Sequence, residues 1–268
     1  MNETIRLDAL LVQKGLVTGR DRAKELISLG QVWVNGRQAS KPALSCSPAD
    51  AVELRGDGAH FVSRAGNKLA GALKHFSVSL EGKTVLDVGA STGGFTQCAL
   101  EAGAAKVYAV DVGRDQLARP LREDPRVENL EQTDIRALPP GSLSPPPEVA
   151  VCDVSFISLR LVLPAIRALL APDGEAVVLI KPQFEAGPRD VGRGGLVKDP
   201  RVHLRVLTEV LESAKLCGFT LAGAEPSPIR GGDGNVEYLA WLRQGGEEAP
   251  ADLPALVRKG RGTPGAKE

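Results

Sequence analysis

The chain has no net charge to speak of: 33 Lys and Arg offset 33 Asp and Glu over 268 residues. It is no polycation, so any contact with nucleic acid has to come from a local basic patch. Long hydrophobic runs are missing as well. Apolar stretches such as AVVLI at 176–180 are of strand length, far short of the roughly 20 residues that cross a bilayer, so no membrane span is expected. The opening MNETIRLDAL has no apolar signal core, which makes the cytoplasm the expected location. Cysteine is sparse. Cys46, Cys98, Cys152 and Cys217 stand far apart, without a CxxC pair and with only three histidines in the whole chain. That spacing speaks against a metal site, and the four are expected as reduced, packed thiols.

What is there is an ordinary globular composition, 43% hydrophobic and 25% charged, long enough for one domain of common size and a small second one. Residues 1–55 form the small one. RLDALLVQK (6–14) has helical spacing at Leu7, Leu10 and Leu11. Thr18 can cap a second helix over 20–29, which Gly30 ends. QVWVNGRQA then alternates around the turn pair Asn35-Gly36, a short hairpin. This stretch resembles the S4 RNA-binding domain, through RLDALLVQKGL, the basic helix GRDRAKELI and the hairpin GQVWVNGR followed by Lys41. The resemblance implies a patch that holds phosphates of a structured RNA without reading its sequence, made of Arg6, Arg20, Arg22, Lys24 and Lys41, with Arg64 beyond the domain. Its surplus is modest: eight basic against six acidic residues in 1–55. Thr18-Gly19 departs from the serine-type cap common in the family. Arg6-Leu7-Asp8 also spells the motif around the catalytic Asp of pseudouridine synthases. Here it lies inside the small module, where Asp8 reads as a helix-start carboxylate.

Residues 56–62 read as a linker, 63–244 as the main domain and 245–268 as a flexible tail with room for one short helix. In the main domain TVLDV (84–88), KVYAVD (106–111), VENLE (127–131), VAVCD (149–153) and AVVLIK (176–181) alternate with helical stretches such as 94–101 and 159–170. Two more strands are expected at 219–222 and 236–242. The rhythm predicts an α/β fold with a doubly wound, mostly parallel sheet of seven strands.

The first of these strands runs into Gly89-Ala90-Ser91-Thr92-Gly93-Gly94 and a helix. GxGxxG and GxxxxGK[ST] are both absent, so the turn suits neither a dinucleotide nor a nucleoside triphosphate. Acids recur at strand ends: Asp87, Asp111, Asp134 and Asp153, spaced by 24, 23 and 19 residues. The carboxyl ends of parallel strands line one crevice. There Asp111 can accept from ribose hydroxyls and Asp134 from an exocyclic amine, while Asp87 can face an ammonium or sulfonium. A glycine turn with a row of acids suits a cationic nucleoside.

These residues resemble the S-adenosylmethionine site of class I methyltransferases, and DVGASTGGFT resembles its version in RNA ribose methyltransferases of the FtsJ/RrmJ kind. With the S4-like module in front, SRAGNKL (63–69), CDVSFISL (152–159), KPQFE (181–185) and GNVEYL (234–239) extend the resemblance to the TlyA family, described both as hemolysin A and as ribosomal RNA 2′-O-methyltransferase. That resemblance implies 2′-O-methylation of cytidine in ribosomal RNA, with ribosomal RNA or ribosomal subunits as partners. A membrane-active hemolysin and a noncatalytic RNA-binding protein are the alternatives. The first would need an amphipathic or apolar membrane segment, which is not seen; the second would tolerate losses in the site.

The residues after the fourth strand bear on the nucleophile. A base-amine enzyme would show Asn/Asp-Pro-Pro-aromatic there and a cytosine-C5 enzyme Pro-Cys; the chain has CDVSF. A ribose hydroxyl needs alignment and a base rather than a covalent intermediate. By resemblance, Lys68, Asp153, Lys181 and Glu237 form the catalytic tetrad. Lys181 would be the base, Lys68 and Glu237 its orienters, and Asp153 the bridge to the cofactor. A lysine acts as base only as the neutral amine, a form that burial and a second ammonium favour and carboxylates oppose. The alternative is a tetrad that works through orientation. Residues 182–200 read as a long loop, either a lid or simply mobile, with Arg189 and Arg193 able to meet phosphate. Phe156 either stacks on a base or packs.

Overall fold

The computed structural model describes residues 4–17, 19–28, 30–54 and 61–262. Thr18, most of the expected linker and the last six residues lie outside these.

In the small module, β1 (Ile5–Arg6) runs into α1 (Leu7–Gln13), followed by α2 (Arg20–Ser28), β2 (Val32–Val34), β3 (Arg37–Gln38), β4 (Ser45–Cys46) and β5 (Val52–Leu54). Asn35 and Gly36 both take positive φ, the geometry of a tight two-residue hairpin between β2 and β3. β5 adds to the other edge of β2, and β1 pairs with β4. The expected helices and hairpin are present; β1, β4 and β5 were not foreseen, being two or three residues long. Leu7, Leu10, Leu11, Leu26, Ile27 and Val32 make the core.

The main domain begins earlier than expected. Phe61 is buried and packs on Gly66, and Val62 lies against the same core. α3 (Ala65–Phe76) precedes β6 (Thr84–Val88), α4 (Gly94–Glu101), β7 (Lys106–Val110), α5 (Arg119–Arg122), β8 (Val127–Leu130), β9 (Val149–Cys152) and α6 (Leu159–Leu169). Then come β10 (Glu175–Ile180), α7 (Pro182–Glu185), α8 (Pro200–Leu216), β11 (Phe219–Pro226), β12 (Tyr238–Gln244) and α9 (Leu253–Arg261). The sheet has seven strands in the order β11-β12-β10-β9-β6-β7-β8. β6 to β10 are mutually parallel, and β12 alone runs antiparallel to both its neighbours. Strands buried on both faces explain the near-continuous Val, Leu and Ala runs of the sequence. α3 and α4 pack with one core, α6, α8 and α9 with the other. Chain order reverses between β6 and β9, which is where ligands of such sheets bind.

Two expectations fail. Residues 245–262 are not a free tail: Asp252 caps α9, Leu256 and Val257 are buried, and Gly260 lies so close to Tyr238 that an added Cβ would stand 3.0 Å from its ring. Only three apolar side chains anchor this helix, too few for a periodic signal. Nor is 182–200 structureless. It opens with α7, and the Asn235 side chain clasps Val197 N (3.0 Å) and Gly195 O (2.9 Å).

Candidate active site

The glycine turn sits at the reversal point. Gly89 takes φ +83°, and a Cβ there would lie 2.8 Å from the Asp153 carbonyl oxygen, so the turn and the end of β9 touch through backbone alone. Gly93 takes φ +97° and faces Leu121 and Leu117. Asp111 accepts from Ser91 N (2.8 Å) and Gly113 N (2.7 Å), which fastens the turn to the end of β7. It stays half-buried, with lone pairs left for a ligand. Beside it Val112 is 74% exposed, an apolar surface on a polar rim that sequence reading passed over.

Asp134 departs from its expected role. Its carboxylate is gripped by Arg136 through Nε (3.0 Å) and Nη2 (2.6 Å) and caps the turn at Ile135–Ala137, so it is not offered to a ligand amine. Asp87 departs too. It is wholly buried beneath the turn, where the Thr96 hydroxyl donates to it at 2.6 Å, and it lines no crevice. Burial pushes its carboxyl up to about 7, opposed by the Thr96 hydroxyl and helped by the fields of Asp153 and Asp111. An acid whose folded value stands above its ordinary 3.8 holds its proton more tightly when folded. Stability should therefore fall as pH rises from about 4 to about 7. Asp87→Asn should flatten that fall, read from urea midpoints across the range; an unchanged slope would contradict it.

Four charged residues distant in sequence meet at the same edge of the sheet. Asp153 follows β9, Lys181 follows β10, Lys68 reaches in from α3, and Glu237 immediately precedes β12. Because β12 is reversed, its beginning lies at the carboxyl ends of its parallel neighbours, and the pairing of Ile180 with Tyr238 sets Lys181 beside Glu237. Lys68 Nζ stands 2.6 Å from Glu237 Oε2 and 3.9 Å from Asp153 Oδ2; Lys181 Nζ stands 2.6 Å from Asp153 Oδ1. All four side chains are nearly buried. Two lysines and two carboxylates balance in charge, which makes such burial tolerable.

Three further residues extend the group. Lys181 Nζ donates to Ser155 Oγ (2.9 Å), and Gln183 Nε2 donates to Glu237 Oε1 (2.9 Å). Glu185, itself buried, accepts from Ser158 Oγ (2.6 Å) and Leu159 N (2.7 Å), which ties the segment after Asp153 to the segment after Lys181. Their signal was proximity in KPQFE and DVSFIS, with no periodicity to mark them. Phe156 is 91% exposed with φ +63°, its ring centroid 4.9 Å from that of Phe184. Cys152 is buried, and burial pushes its thiol up, away from a nucleophilic thiolate. Among the described residues no cluster of three His, Cys, Asp or Glu could hold a metal.

Gly231 closes on this group from the loop before β12. A Cβ there would lie 2.5 Å from Glu237 Oε1 and 3.0 Å from its Cδ. Gly231→Ala should lower methyl-transfer kcat by about tenfold through a displaced carboxylate, with cofactor affinity unchanged; an unaffected kcat would show that the carboxylate has room to move.

Of the expected RNA contacts, Arg6 and Arg20 converge on Asp8, Lys24 pairs with Asp21, and Lys41 is exposed. Arg22 donates to Phe61 O (3.3 Å), facing the main domain rather than the patch. Arg64 lies beside the loop at Gly232, close to the tetrad. Arg189 and Arg193 are exposed.

A seven-stranded sheet with one reversed strand, a glycine turn at its reversal point and an acid at the end of the next strand define a class I S-adenosylmethionine-dependent methyltransferase. The FtsJ-like methyltransferase family model matches residues 61–244, and the S4 domain model matches residues 5–52. The chain belongs to the FtsJ-like methyltransferase family and carries an S4 domain in front. A relative from Mycobacterium tuberculosis, named 16S/23S rRNA (cytidine-2′-O)-methyltransferase TlyA, is 45% identical over 91% of this chain and 91% of its own. Hemolysin A of Brachyspira hyodysenteriae is 40% identical over 88% of this chain and 98% of its own. A solved structure from Streptococcus thermophilus is 39% identical with a TM-score of 0.77, covering 97% of each chain.

Proposed function

We propose that this protein methylates the 2′-hydroxyl of a ribose, that of a cytidine in ribosomal RNA, at the expense of S-adenosylmethionine. The observation that carries the reading is the convergence of Lys68, Asp153, Lys181 and Glu237 beside the glycine turn. The relative named as a cytidine-2′-O-methyltransferase supports the same substrate.

The residues present fit the cofactor. Beside the turn Gly89–Gly94, Asp111 keeps acceptor capacity for ribose hydroxyls, and exposed Val112 offers an apolar wall to an adenine face. When bound, S-adenosylmethionine supplies a methyl group activated by its sulfonium. As the neutral amine, Lys181 Nζ would take the 2′-hydroxyl proton as that oxygen accepts the methyl group. Asp153 and Ser155 aim Lys181, while Glu237 holds Lys68, which faces Asp153 at 3.9 Å. No covalent intermediate is needed, in keeping with the protonated, buried Cys152. The S4 domain holds RNA phosphates, with ribosomal subunits in the cytoplasm as its setting.

Among the described residues no helix is long and apolar enough to cross a membrane. The test is methyl transfer from labelled S-adenosylmethionine to purified ribosomal subunits, assembled ribosomes and naked ribosomal RNA, with the modified nucleotide mapped. Label on a cytidine ribose is expected; label on a base, or on no RNA, overturns the reading.

A further inference from the structure

Asp8 has no place in the chemistry above, yet among the described residues of the S4 domain it is a fully covered charge. Its side chain is 0% exposed, while the two side chains that cover it, Arg6 and Arg20, remain 51% and 54% exposed. Arg6 donates to Asp8 Oδ1 through Nε (3.1 Å) and to Oδ2 through Nη2 (3.0 Å); Arg20 Nη2 donates to the same Oδ2 (3.0 Å). A single bidentate arginine already neutralises a carboxylate's charge. The second guanidinium, arriving from α2, brings two like charges to one oxygen atom, an arrangement that only the buried anion between them makes tolerable.

We propose that Asp8 is a positioning residue for RNA binding, which holds Arg6 and Arg20 side by side as one clamp for a backbone phosphate. An arginine carries five N–H donors, so each guanidinium keeps several pointing outward after meeting Asp8. Both Nη2 atoms lie within 3.0 Å of one oxygen, close enough for a single phosphate to touch both. Lys41 belongs to the same surface, because the turn that follows it is bonded to the start of α1: Asp8 N donates to Pro42 O (3.1 Å) and Leu7 N to Leu44 O (2.8 Å). Arg6 above all, with Arg20, holds the Asp8 carboxyl well below the usual range despite its burial, so the anchor stays charged through neutral pH. The clamp loses fewer rotamers on binding than two free arginines would.

The inference rests on the RNA-binding reading of the S4 domain, and the experiment separates the two. Affinity of the full chain for purified ribosomal subunits is measured by filter binding across a salt series, for the wild type, Asp8→Asn, Arg6→Lys, and Arg6→Gln/Arg20→Gln with and without Asp8→Asn. Asp8→Asn removes one negative charge, so charge alone predicts tighter binding. The clamp predicts the reverse: about tenfold weaker binding and a salt dependence shallower by about one phosphate contact. It also predicts no further effect of Asp8→Asn once both arginines are gone. Binding by Asp8→Asn that equals or exceeds the wild type overturns the proposal. Should Asp8→Asn unfold the S4 domain, Arg6→Lys serves instead, since it keeps every charge and loses only the fork; the clamp requires a several-fold loss, and unchanged affinity overturns it. If the double arginine variant binds as the wild type does, this surface is not the RNA-binding one and both readings fall.

Discussion

Lys181→Met should slow single-turnover methyl transfer by about 10²–10⁴-fold, the usual cost of losing a positioned base, while the affinity for S-adenosylmethionine stays within about twofold. The side chain emerges at the end of β10, where Nζ forms an ion pair with Asp153 Oδ1 at 2.6 Å and donates a hydrogen bond to Ser155 Oγ at 2.9 Å. Removing it leaves the glycine turn and Asp111 untouched, hence the expected split between rate and cofactor binding. Lys181→Arg separates the two possible roles. A guanidinium keeps the charge but does not act as a proton acceptor. An arginine variant as slow as the methionine one marks Lys181 as the base; recovery of most of the rate would show that orientation by a cation suffices.

The Lys68–Glu237 pair carries the second large expectation. Its members are 6% and 2% exposed at 2.6 Å, so Lys68→Met strands a buried carboxylate with only the Gln183 amide at Oε1 and no cation on Oε2. Breaking a buried pair from one side costs about 3–5 kcal/mol, a drop of roughly 6–20 °C in the melting of a domain this size. Lys68→Met/Glu237→Leu removes both charges and should regain most of that loss. It should not regain activity, because the group that holds Asp153 and Lys181 is gone. Stability then tracks charge balance, and catalysis tracks the particular atoms. A double variant as unstable as the single would mean that the pair matters through packing and not through its charges.

Much of the methyltransferase domain was readable because its strands announce themselves. TVLDV, VAVC and AVVLI are short, β-branched or apolar and buried on both faces, and the structure starts and stops β6, β9 and β10 within a residue of those runs. The hairpin at Asn35-Gly36 was readable for a different reason, since that dipeptide tolerates the two positive φ values the turn needs. What escaped notice was short or sparse. β1 and β4 are two residues each and α7 is one turn, so none shows a period; α9 falls where the sequence left room for one short helix, and only its packing through three apolar side chains was not legible. Asp87 and Asp134 misled because position at a strand end does not say which neighbour claims the carboxylate; Thr96 and Arg136 did.

By itself the sequence determined the two domains, the sheet and the types of group available for chemistry, since hydrophobic period and glycine placement are local properties of the chain. Only the tertiary structure decided which of those groups meet. A reversed β12 puts Glu237 beside Lys181 and Lys68 across 169 residues of chain. Charges at such separations interact only once packing has removed the water between them.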